Sequence, residues 1–158
     1  MGVSESSLDV GVEEEISFLE LVDTPLQQFA TGVEESLFTK LHDEIMLAWV
    51  AAFFDAEGCV HLTTDGRIQL WVTNTNLDAI KFIQQIAGGS IQVRNGKNKK
   101  VYRLYLTCSK AIDFLKKILP YSIVKREAIF HAIKYYENNC KDKVDEYRRL
   151  INSRLRGD

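Results

Sequence analysis

The sequence has no apolar run long enough for a bilayer. Its longest, Ile45–Phe54, is ten residues, against the roughly 20 that a membrane-crossing helix needs, and no signal-peptide pattern is expected. Cysteine is scarce. Cys59, Cys108 and Cys140 stand too far apart for a CxxC metal site or redox pair, so a reducing intracellular compartment is the expectation. The three histidines, His42, His61 and His131, lack metal-ligand spacing, which argues against histidine-based metal chemistry. Net charge is nearly absent too, at -2, but that average conceals an asymmetry.

Residues 1–44 hold eleven acidic residues and one lysine, a net -10, whereas residues 45–158 hold nineteen basic and eleven acidic residues, a net +8. A basic region of that kind suits a polyanionic partner. With 158 residues and 46% hydrophobic content, the chain fits one domain with an adequate core. The expected organisation is an acidic N-terminal extension over residues 1–40 and a single domain over 41–158, closed by a basic helical tail at 141–156. Residues 13–22, EEEISFLELV, carry enough apolar side chains for a short packed segment, so the extension is not read as wholly disordered. Three roles stay open for it: a spacer, a decoration of a dimer, or a shield over the basic domain.

Being apolar on every side and too short for a membrane, Ile45–Phe54 must be surrounded by protein. Ala48, Ala52 and Ala56 recur every four residues and form a smooth stripe on which a second helix can approach closely. Asp55 and Glu57 follow at the carboxyl end, where the helix dipole disfavours acidic side chains, and Gly58 supplies the stop. A nearby cation is expected to compensate. The stretch Val50–Gly58, VAAFFDAEG, resembles the nine-residue signature of the LAGLIDADG homing endonucleases, with the metal-binding acidic position falling on Glu57. In that family two such helices pack side by side and each delivers a carboxylate to the scissile phosphates. One copy of the motif in this chain therefore implies a homodimer.

An internal repeat organises the rest. Ala79–Ile86, AIKFIQQI, returns 32 residues later as Ala111–Ile118, AIDFLKKI, with its apolar positions in helical register. Each copy follows two strand-like runs. Cys59–Thr64 and Arg67–Asn74 flank Asp65-Gly66, a signal for a type I′ hairpin turn, and Ser90–Arg94 and Val101–Thr107 flank a polar loop from Asn95 to Lys100. Asn76 and Ser109 are the candidate N-caps, with Gly88-Gly89 and Pro120 as the stops. A further amphipathic helix is expected over 123–138, closing the core through Ile123, Ala128, Ile129, Ala132, Ile133 and Tyr136. The order matches what the family resemblance implies: an α+β protein with the αββαββα homing-endonuclease fold, one curved four-stranded antiparallel sheet with helices packed on one face.

Strand alternation divides that sheet. Val60, Leu62, Ile68, Leu70, Val72, Ile91, Val93, Tyr102, Leu104 and Leu106 share the parity that covers the helices. The opposite parity carries His61, Thr63, Arg67, Gln69, Trp71, Thr73, Gln92, Arg94, Arg103, Tyr105 and Thr107, without a carboxylate, and the loop adds Lys97, Lys99 and Lys100. A merely solvated face mixes charge signs. Arg pairs with guanine, Gln with adenine, and an antiparallel ribbon fits the major groove, so this face is assigned to double-stranded DNA. The loop lysines suit phosphates, which position the protein without reading sequence. For Trp71, stacking on a sugar and packing against a dimer partner are both open.

The resemblance implies further roles. Glu57 and the backbone carbonyl of Ala56 would hold a divalent metal, Mg²⁺ with Mn²⁺ or Ca²⁺ as substitutes in binding, while Asp55 and Gly58 would be structural at the helix end. Lys125, in Pro120-Tyr121-Ser122-Ile123-Val124-Lys125, and Asn74, at the end of the second strand, occupy positions where the family places a phosphate- or water-polarising lysine and a water-ordering amide. For each, an ordinary helix-start lysine or strand-turn residue is the competing reading. Asp78 stands where some members carry a basic residue. The function implied is Mg²⁺-dependent double-strand cleavage across the minor groove of a long, nearly palindromic site, leaving short 3′ overhangs, in an organelle (chloroplast or mitochondrion) or the bacterial cytoplasm. Two alternatives share the fold: an RNA-splicing maturase that binds intron RNA, and a DNA-binding protein without catalysis.

Overall fold

Helix α1 runs Gly32–Glu57, beginning well before the apolar stretch and ending at the acidic pair. The structure is a computed structural model and describes residues 32–96 and 98–152. Residues 13–22 of the acidic extension, Lys97 of the loop, and Arg154 and Arg156 of the basic tail lie outside the described residues. By internal contacts the chain divides into two units, Met1–His42 and Asp43–Asp158.

After α1 come β1 (Gly58–Leu62), β2 (Ile68–Asn74), α2 (Leu77–Ala87), β3 (Ser90–Asn95), β4 (Lys100–Thr107), α3 (Cys108–Ile118), α4 (Arg126–Glu137), a short 3-10 turn (Lys141–Lys143) and α5 (Val144–Asn152). The four strands form one antiparallel sheet in the order β1-β2-β4-β3. Register aligns the apolar parity across it: Val60 opposite Leu70 opposite Leu106, and Val72 opposite Leu104 opposite Ile91. These residues bury against Phe54, Ile80, Ile83, Phe114, Leu115 and Ile129, giving a single core between sheet and helices. Val93 departs from its parity at 59% exposure, because it lies on the edge strand β3 beyond the helix cover.

Several local expectations are corrected. The β1–β2 connection is not a type I′ turn, since that turn needs a positive φ at both central residues and only Gly66, at 80°, has one. Gly66 N donates to Thr63 O and Thr63 N to Arg67 O, which makes a three-residue loop with the glycine in the left-handed position. The Tyr135 hydroxyl of α4 donates to Gly66 O and supports it. Asn76 caps α2 as expected, its Oδ1 accepting from the amides of Asp78 and Ala79. Ser109 does not cap α3: the cap position is Thr107, without a side-chain bond, and Cys108 turns the corner at φ 51°.

The helix expected from residue 123 starts three residues later, at Arg126. Ile123 is 83% exposed, and Tyr135 rather than Tyr136 faces the core. The reason lies at Asp55, which holds the 122–125 backbone out of the helix (below). In the tail, α5 buries Tyr147 and Ile151 and packs on β1, where Asn152 Oδ1 accepts from Leu62 N at 3.5 Å.

Candidate nucleic-acid interface and active site

The apolar stretch of α1 is only half surrounded. Val50, Ala51 and Phe54 are fully buried, whereas Ile45, Ala48, Trp49 and Ala52 are exposed, and so are Ala56 and Glu57 beyond them. The expectation that protein covers the whole run is thus not met among the described residues of one chain. Trp49 leans on Phe53 and on Phe82 of α2, with ring centres 5.2 and 5.3 Å apart, and leaves the alanine stripe open.

At the end of α1 the two carboxylates differ completely. Asp55 is saturated: Oδ1 accepts from Ser122 Oγ (2.6 Å) and Lys125 N (3.0 Å), and Oδ2 accepts from Ile123 N (2.7 Å) and Val124 N (3.0 Å). Burial alone would raise its carboxyl pKa, but the Ser122 hydroxyl and the three amides together hold it below the ordinary aspartate range. The Lys125 ammonium donates to Asp55 O, a cation at the negative end of the helix dipole. Glu57, by contrast, is exposed, and among the described residues no hydrogen bond or ion pair holds its carboxylate.

One chain alone makes a poor metal site. Among the described residues no group of three His, Cys, Asp or Glu side chains converges. What the helix end offers is one free carboxylate and the carbonyl of Ala56, one of the last four of α1 and so without an intrahelical partner. That set fits magnesium, which takes few carboxylates and keeps several waters, when a second copy adds a second Glu57.

Asn74 ends β2, two residues beyond Val72, the partner of Gly58. Its Oδ1 accepts from Asn76 N at 2.9 Å, a turn-forming role, and it shares the strand parity of Val72 rather than that of the open face.

The open face is assembled by register into rows: His61, Gln69, Thr107; then Cys59, Trp71, Tyr105, Ser90; then Thr73, Arg103, Gln92; then Arg94 beside Val101. Ser90, Gln92, Arg94, Lys99, Lys100 and Thr107 are exposed, Cys59 is buried, and the others are partly exposed. Trp71 is held within its own chain, with the Arg103 guanidinium 5.5 Å from its ring centre and the His61 ring 5.8 Å away. Arg103 Nε also donates to Thr73 Oγ1 at 3.3 Å. Two members are less free than their sequence positions suggest. Thr63 bonds Asp65 and Arg67 within the hairpin loop, and Arg67 pairs with the Asp65 carboxylate at 2.6 Å.

Three residues emerge that motif reading passed over. Ser122, fully buried, is the partner of Asp55; Asp65 neutralises Arg67; and Arg148 of α5 acts on His61. Burial first, and then the Arg148 charge, hold the His61 pKa below its ordinary value. Ser122 stood in the stretch that marked Lys125, whereas nothing local signals that α5 docks on β1.

These elements define the fold of the homing endonucleases. Residues 44–119 match the family model of the LAGLIDADG-like domain, and Glu57 lies within the matched span. Among solved structures, the homing endonuclease I-CvuI, in complex with an I-CreI target in the presence of 2 mM Mg, is similar at TM-score 0.55 and 25% identity, over 72% of this chain and 82% of that one. The archaeal intron-encoded homing endonuclease I-Vdi141I, complexed with DNA, has TM-score 0.54 and 17% identity over 70% and 82%. The homing endonuclease I-TnaI has TM-score 0.53 and 14% identity over 71% and 89%. No curated protein sequence matches the chain at a significant level.

Proposed function

We propose that the protein is a site-specific double-strand DNA endonuclease that works as a homodimer with bound divalent metal, Mg²⁺ by preference. The observation that supports this reading is the contrast at the end of α1: among the described residues Asp55 is fully engaged, while Glu57 is exposed and without a partner beside an exposed alanine stripe. A carboxylate left free at a negative dipole end, next to a surface built for close helix contact, suits a site completed by a second copy. Residues Glu57 and Ala56 of each chain would hold the metal, which supplies a nucleophilic water, stabilises charge on the phosphate and assists the departing oxygen. Lys125 would steady the phosphate, and Asn74 would order water beside it.

The open sheet face is the DNA interface in this reading. Arg94, Gln92 and Gln69 suit base edges, and Lys99 and Lys100 suit phosphates. Two-fold symmetry of a homodimer carries over to its half-sites, so the target is nearly palindromic. Cleavage selection from a randomised duplex library with Mg²⁺ tests the proposal and returns the target. Enrichment of a pseudo-palindrome cut on both strands is the expected result. Binding without cutting would instead indicate a DNA-binding protein, and tighter binding to intron RNA a maturase.

A further inference from the structure

We infer that Asp55 is a positioning residue for Lys125, fixing both ends of that lysine relative to Glu57; the inference rests on the endonuclease reading for its consequence but not for its geometry. The amides of Ile123, Val124 and Lys125 all point at the Asp55 carboxylate, and these are the amides that lead into α4. A helix start is ordinarily capped by its own Ser, Thr, Asp or Asn. Here the cap position is Lys125, which makes no side-chain cap bond; the Asp55 carboxylate, 70 residues away, instead binds the cap residue's own amide and the two amides before it. The ammonium of the same lysine then returns to the Asp55 carbonyl.

One residue therefore grips the Lys125 backbone with its side chain and the Lys125 amine with its main chain. It does so two positions before Glu57 on the same helix end. The buried Ser122 hydroxyl completes the carboxylate and fixes its orientation. A local cap bonds amides inside the first turn of its helix and would leave the lysine unconnected to the helix that carries Glu57. Asparagine cannot replace Asp55, since each oxygen accepts from at least one backbone amide and an NH₂ at either place would meet a donor.

Amine acylation of the full-length protein, mapped by mass spectrometry, reads the state of Lys125 without substrate. Asp55→Ala is expected to raise acylation at Lys125 about tenfold relative to the exposed Lys134, as for the loss of one net hydrogen bond. Ser122→Ala, which keeps the carboxylate, raises it less. In single-turnover cleavage both variants slow the step at saturating DNA and leave the half-saturating concentration unchanged, and neither slows a Lys125→Met chain further. Unchanged Lys125 reactivity in folded Asp55→Ala overturns the inference, and so does unchanged reactivity in Ser122→Ala if the aspartate variant does not fold. Slower cleavage with Lys125 reactivity unchanged overturns it as well. If the wild type cuts no duplex, the endonuclease reading fails, and the acylation result alone decides the placement of Lys125.

Discussion

Gly58 lets the chain turn from α1 into β1 directly against Phe54: a Cβ at Gly58 would press on the Phe54 ring and lie 2.6 Å from the Phe54 carbonyl oxygen. Phe54 is fully buried and edge-on to Phe114, so it has no room to yield. Gly58→Ala is expected to destabilise the fold by about 1–3 kcal/mol, the cost of overpacking a close-packed core. Thermal unfolding checks this, and an unchanged Tm would show that the turn tolerates a side chain.

Ala52 is exposed in the middle of the alanine stripe, so a larger side chain there extends into space left open among the described residues. Ala52→Glu should leave the circular dichroism spectrum nearly unaltered while blocking close approach of a second helix and adding like charge on the proposed pairing face. Sedimentation equilibrium is expected to give two chains for the wild type and one for the variant.

His61 stands on the open face with its pKa held below the ordinary histidine value, first by burial and then by Arg148. Acidification is therefore what charges it. Duplex affinity should strengthen on acidification, since each added positive charge on the face favours the polyanion. His61→Gln should remove that rise in binding isotherms taken across the range. The same depressed pKa makes protonation unfavourable to the fold, so any stability contributed by neutral His61 is present above its ordinary value and lost on acidification.

Arg94 and the loop lysines are separable by their salt response. Arg94→Ala is expected to weaken binding by about 1–3 kcal/mol and relax selectivity at one base pair of each half-site, whereas Lys99→Ala should weaken all sequences alike and lower the salt slope by about 1 per chain. Filter binding against target and scrambled duplexes at several salt concentrations distinguishes the two.

Much of this was legible in the residues. The alternation of Val60, Leu62, Ile68, Leu70 and Val72 located the core face, because strand parity is a local property that packing then obeys. The repeat at Ala79 and Ala111 marked two helices correctly, and Asn76 its own cap. Where reading failed, the deciding contact came from far along the chain or from φ values. Ile123 looked like a core position by spacing, but Asp55 pulls its amide across 68 residues of sequence. Asp65-Gly66 signalled a hairpin, yet only Gly66 took the left-handed conformation, and the loop gained a residue. The exposure of the alanine stripe and the tether on Lys125 depend on how helices dock, which no local pattern encodes.

Comparing wild type and Glu57→Gln on the selected duplex with Mg²⁺ decides whether the Glu57 carboxylate carries the cleavage chemistry. The wild type is expected to cut both strands, and the variant to bind with the same affinity and leave the duplex intact. Cleavage by Glu57→Gln at the wild-type rate would contradict the assigned active site.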